Sequence, residues 1–173
     1  MTFFYNLCVT IVYKIVIYEE NNNNMNFIDN EHKLFWAEKY KIIEKYGKVD
    51  VYYKSLIYTL GICEVTRRHF LEIFDIKEGE INIDCINYSW QTNTSSKVVR
   101  LAFSLWNTCN YDSTEDWEKN RLSKLYNISE IFSCSFAPFF VEAIRIRYPE
   151  YFKDSAINEF IEIQEKIWIV NEK

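Results

Sequence analysis

The chain has 173 residues and a net charge of −5, and aromatic residues make up 18% of it, with 13 Tyr and 13 Phe. A chain of this length buries about 70% of its unfolded surface and needs neither disulfide nor metal to fold, and the aromatic content excludes general disorder. The acidic balance disfavours a sequence-independent nucleic-acid binder, whose footprint is basic. Cys8, Cys63, Cys85, Cys109 and Cys134 form no C-x-x-C pair, and with only His32 and His69 beside them no zinc pattern arises. Their odd number and even scatter imply reduced, mostly buried thiols in a cytoplasmic protein, with no metal and no cofactor expected.

The first segment, "MTFFYNLCVTIVYKIVIY", is apolar and β-branched, yet shorter than a membrane span of about 20 residues and interrupted by Asn6 and Lys14. It lacks the basic start and small-residue cleavage site of a signal peptide. "EENNNN" follows, then Met25. Read back into codons, Glu19–Glu20 can encode a purine-rich GAGGA tract a few codons before an ATG, the layout of a ribosome-binding site. Residues 1–24 are therefore expected to be an upstream extension, with Met25 the natural start and 25–173 a single helical domain. The alternatives are an edge strand or a membrane-seeking helix. Peptides from residues 1–18 in the native host would end the late-start idea.

From Met25 onward the periodicity is helical. Asp29 or Asn30 caps a helix near 30–46, closed by Gly47, with Trp36, Tyr40 and Ile43 inward. Asp50 caps a second, whose Tyr53, Leu56, Ile57 and Leu60 follow the i, i+3, i+4, i+7 rule, and Gly61 ends it. A third runs from Glu64 to Phe74. "DIKEGEINIDCINYSW" is irregular, with a turn at Gly79 and room for one short strand. Thr94 or Ser95 caps a helix to Asn107 that is apolar on two faces (Val98, Leu101, Ala102, Leu105; Val99, Phe103, Trp106), the pattern of a central helix. Ser113 with Asp116 suggests a short capped helix in the charged connection "NYDSTEDWEKN", and Ser129 starts another turn. "FAPFFVEAIRIRY" makes an apolar helix with Pro138 in its first turn, stopped at Tyr148 by Pro149. Asp154 caps a last helix with Ile157, Phe160, Ile161, Gln164 and Trp168 on one side. The expected fold is mainly α, a compact bundle of about six helices.

The blocks "DVYYKSLIYTLGICEVTRRHF", "WQTNTSSKVVRLAFSLWN" and "FAPFFVEAIRIRYPEYF" resemble, in order, an uncharacterised family of small helical proteins. Its members are encoded by phages, plasmids and integrated elements of low-GC Gram-positive bacteria. The resemblance spans about residues 27–152 and fits a codon bias toward Asn, Lys, Ile, Tyr and Phe. It implies an origin and no mechanism. Ser104 departs from the Asn associated with that place.

Three constellations invite function. Trp90, Gln91, Thr92, Thr94 and Ser95, with Asn93 among them, gather hydroxyls and amides before a helix; they read either as an elaborate cap or, with Lys97, as an anion or ligand site. Lys97, Arg100, Ser104 and Asn107 form the one polar stripe of that helix. If buried, Arg100 needs a carboxylate, for which Glu142, Asp84 and Asp112 are candidates. The hairpin "LIYTLGICEVTRRHF", within 50–75, resembles a helix-turn-helix in which Thr66, Arg67, Arg68 and His69 would open a recognition helix, although Arg67 falls where that motif wants a buried aliphatic. For an enzyme, Cys63 near His69, or Ser95 with His69 and Asp75, are the conceivable groupings, and no spacing fixes either. The leading expectation is a small cytosolic protein that binds a host or phage protein, with an inhibitor of a host defence system as its specific form. DNA binding is the alternative, and an enzyme the second alternative. No membrane contact is expected unless residues 1–18 are expressed.

Overall fold

The computed structural model describes residues 25–152. The N-terminal extension 1–24 and the helix expected from Asp154 lie outside these residues. Among the described residues there are eight α-helices and one two-stranded antiparallel hairpin, so the protein is mainly helical. The count exceeds the expected six because the segment expected over Glu64–Phe74 divides in two and the short turns after Ser113 and Asn127 are helical.

Helix α1 (Asn30–Lys45) starts where the Asp29 side chain accepts the His32 N–H at 2.6 Å. It ends at Gly47, whose φ of 67° turns the chain so that Lys48 N–H closes on Ile43 O at 2.9 Å. Helix α2 (Val51–Gly61) is capped by Asp50 through the Tyr53 N–H at 2.9 Å. The periodicity of α2 indicates a single apolar stripe, yet every residue from Ser55 to Gly61 is buried, because α1, α5 and α8 all pack on it. Its polar residues tolerate this by bonding inward: Ser55 Oγ to Tyr52 O at 3.0 Å and Thr59 Oγ1 to Ser55 O at 2.6 Å.

Helix α2 ends at Gly61, where the sequence puts its stop, and the glycine has a second role. A Cβ there would lie 2.5 Å from Cδ2 of His32, so the glycine admits the His32 ring against the α2 backbone. His32 is fully buried, and its Nε2 lies 2.8 Å from Tyr58 O. Burial pulls its pKa from 6.5 down to about 4, against the opposing hydrogen bond to Tyr58. The ring is therefore neutral, with Nε2–H donating to that carbonyl.

The helix expected over Glu64–Phe74 is two, α3 (Glu64–Arg68) and α4 (Phe70–Ile73), broken at His69. The break turns Phe70 and Ile73 into the core while His69 stays near the surface. The single expected strand is a hairpin, β1 (Phe74–Asp75) with β2 (Glu80–Ile81), in the register Phe74 to Ile81 and Asp75 to Glu80. Helix α5 (Asn93–Asn107) begins earlier than expected: its N-cap is Thr92, not Thr94 or Ser95. Short helices α6 (Thr114–Glu118, capped by Ser113) and α7 (Ile128–Ile131, capped by Asn127 and not begun by Ser129) lead to α8 (Ala137–Arg147), with Pro138 in its first turn. Both predicted faces of α5 are buried except Trp106, which is half-buried. No described helix is long and apolar enough to cross a membrane.

Candidate functional site

At the start of α5 the polar run closes on itself. Thr92 Oγ1 accepts the Ser95 N–H at 3.0 Å and Ser95 Oγ accepts the Thr92 N–H at 2.8 Å, a reciprocal capping box. Ser95 Oγ also donates to Gln91 Oε1 at 2.6 Å, and Gln91 Nε2 donates to Cys85 O at 3.1 Å. Thr94 sits half-buried on the first turn. Lys97 reaches Ser133, donating to its carbonyl at 3.0 Å and its hydroxyl at 2.7 Å. Trp90 stacks flat on His69 with ring centroids 4.3 Å apart, and its Nε1–H donates to Glu72 at 2.9 Å. The same carboxylate meets His69 Nδ1 at 2.8 Å, and these two bonds, the His69 one foremost, hold its pKa below the usual range.

Farther along α5, Arg100 is buried and donates through Nε to Asp112 at 2.9 Å. Ser123 Oγ also bonds that carboxylate, and the Tyr126 ring lies 5.9 Å from the guanidinium. Of the three acidic candidates, Asp112 is thus the partner. Glu142, buried on α8, accepts from Asn26 at 3.3 Å, while Asp84 accepts the N–H and hydroxyl of Thr114, each at 2.8 Å.

In the helix-turn-helix reading, Thr66 would face DNA; its side chain is buried and bonds the Leu60 and Cys63 carbonyls. Arg67 folds back onto Gly61 O at 2.6 Å and lies 3.6 Å from Asp29. Arg68 is exposed and paired with Glu64, and His69 is under Trp90. The would-be recognition helix is a five-residue turn. For nucleophilic chemistry, Cys63 is buried, and Asp75 accepts the Lys77 and Glu78 N–H groups. Burial, then Glu72 and Asp84, push the Cys85 thiol up to about 12. Among the described residues no three His, Cys, Asp or Glu side chains gather where a metal could sit.

The opposite end of α5 is open. A cleft of about 820 Å³ runs between β2 and the segment following α5. Trp106 forms its inner wall, fixed edge-to-face by Tyr53 at 4.7 Å and Phe74 at 5.0 Å. Gly79, at φ 81°, lets the hairpin turn settle there, since a Cβ would stand 2.8 Å from Tyr53 Oη. Thr108 ends α5 at φ 60°, a left-handed conformation that a β-branched residue adopts only under strain. The turn so made is braced by Ser104 Oγ donating to Cys109 O and Cys109 N–H donating to Asn107 Oδ1, both at 3.2 Å. Trp117 and Leu122 form the outer wall, 58% and 62% exposed. Among the described residues, Glu80 is the one formally charged residue lining the cleft. Of the residues singled out from the sequence as binding, only Asn107 lies here. Trp117 gave one signal that sequence reading passed over: a large aromatic set in a charged surface connection has no core to fill.

The model of a family of unknown function (DUF6075) matches residues 22–159, so the chain belongs to that family. No curated protein and no solved structure matches.

Proposed function

We propose that this family member is a small cytoplasmic protein of a phage or other mobile genetic element that works by binding a host or phage protein, and that a host defence component is its target. One observation carries the interaction reading: an open cleft at the C-terminal end of α5, with a rigidly braced Trp106 on one side and an exposed Trp117 on the other. Tryptophans with a fixed pose and an accessible face are the residues on which protein interfaces concentrate their affinity. The net charge of −5 suits a basic partner surface. The origin rests on the resemblance of the three sequence blocks.

The test is affinity purification from the native host with wild-type protein and Trp117→Ala in parallel. A protein captured by the first and lost by the second supports the reading. Equal capture by both, or capture of nothing above background, overturns it.

A further inference from the structure

The cleft has a second property, set by backbone and not by side chains. Asn82 N–H donates to Ile73 O at 2.9 Å, which makes residues 73 and 82 a hydrogen-bonded pair. Antiparallel ladders alternate, so Asp75 and Glu80 form the next such pair, and Phe74 and Ile81 between them do not. The Ile81 N–H and C=O therefore point away from β1, and among the described residues no other backbone group takes them up. Among the described residues the hairpin has only two strands, and this side of β2 is an open sheet edge. Residues 79–83 of that edge line the cleft continuously.

Among the described residues the only formal charge in the lining is negative, at Glu80. The C-terminal end of α5, a helix of 15 residues, also opens there, and its terminal carbonyls carry partial negative charge. Trp106, Trp117 and Tyr111 add aromatic faces, which attract cations. An anion is disfavoured by each of these, and a neutral apolar ligand would leave the Ile81 backbone groups unsatisfied.

We propose that the cleft takes an extended, basic peptide segment of the partner, which adds as a third strand to β2 through the Ile81 N–H and C=O and sets a Lys or Arg side chain between Glu80 and the tryptophan walls. This rests on the interaction reading and specifies its ligand. Strand addition supplies affinity through main-chain bonds, and the alternating side chains supply specificity.

The experiment uses the full chain and a fluorescein-labelled, end-blocked peptide of about six residues alternating arginine and valine, long enough to run the strand edge. Fluorescence anisotropy is expected to give saturable binding. Methylating the peptide amides that face β2 should abolish it, whereas methylating the alternate set should not. Glu80→Lys and Trp117→Ala should each weaken binding about tenfold or more, a loss of about 1.4 kcal/mol. Equal binding of the two methylated series, equal binding of a glutamate–valine peptide, or no saturation would each overturn the proposal. The methylated peptides leave the protein untouched, so misfolding cannot mimic the result. Failure here is separable from failure of the interaction reading. If Trp117→Ala loses a captured host protein while no basic strand binds, strand addition falls and the interaction stands. If the peptide binds as described and capture is unchanged by Trp117→Ala, strand addition stands and the partner lies elsewhere.

Discussion

The two ends of α5 are both polar and both bond internally, but the finish also opens on a cleft with an exposed tryptophan. At the start, Gln91, Thr92 and Ser95 satisfy one another and the helix N–H groups, and Lys97 is tied to Ser133. At the finish, Thr108 holds a strained turn, and Asn107 and Thr108 border an open cleft beside Trp106 and Trp117. Density of hydroxyls and amides is thus a poor guide to binding. What distinguishes a site is polar and aromatic surface whose bonding capacity the fold has not consumed.

If that contrast is right, changes on the closed side should cost stability and leave binding alone, and changes at the open end should do the reverse. The largest effect belongs to Arg100, which ties the middle of α5 to the segment beyond it. Arg100→Ala strands Asp112 in a partly buried position and should cost about 3 kcal/mol, read as a shifted midpoint in urea denaturation. An unchanged midpoint would mean that the pair contributes nothing net.

The next effect is a pH dependence in the core between α1 and α2, away from both ends of α5. His32 has a folded pKa of about 4 against an ordinary 6.5, so between those values the unfolded chain binds more protons. Stability should therefore rise with pH across that window and be lost as pH falls through it, by up to about 3 kcal/mol. Carboxylates titrate in the same range, so the measurement is the difference between wild type and His32→Gln. A slope identical in both would rule His32 out.

A smaller loss follows at the helix start. Thr92→Ala removes one arm of the capping box and should cost about 1 kcal/mol by chemical denaturation, while peptide binding at the cleft stays at the wild-type value. Weakened binding would mean that the two ends are coupled and would spoil the contrast. At the finish the sign reverses. Thr108→Gly relieves a left-handed threonine and should stabilise the fold by about 0.5–1 kcal/mol, visible as a raised Tm. The smallest stability effect is expected for Trp117→Ala, within about 0.5 kcal/mol because the ring is exposed, even though it should abolish capture of a partner.

Some of this was readable residue by residue. The caps at Asp29, Asp50 and Ser113, the turn at Gly47 and the Pro138 start of α8 all lie where the sequence puts them. Each depends on bonds within a few residues of itself. The inward positions of α5 and α1 were legible for a related reason, since helical periodicity puts a face together before any partner is known. Reading by periodicity failed where a neighbour overrode it. It assigned Ser55 and Thr59 no part in the core, because burial on every side of α2 comes from three other helices. It placed the stop at Gly61 but not that glycine's second role, because the His32 ring that needs the room lies on another helix and is invisible to local spacing.

Mainly helical character, the starts of most helices and the faces they bury follow from local sequence, because backbone hydrogen bonds, caps and side-chain periodicity act over one or two turns. The candidate site depends on tertiary packing. That packing chose Asp112 over Glu142 and Asp84 for Arg100, folded Thr66 and Arg67 back onto the α2 carbonyls, stacked His69 under Trp90, and opened the cleft between β2 and Trp117. Each of those outcomes joins groups on different elements, from 6 residues apart for Thr66 and Leu60 to 12 for Arg100 and Asp112 and more for the cleft walls. Which groups stay unpaired, and so available to a partner, is known only once every competing bond has been made.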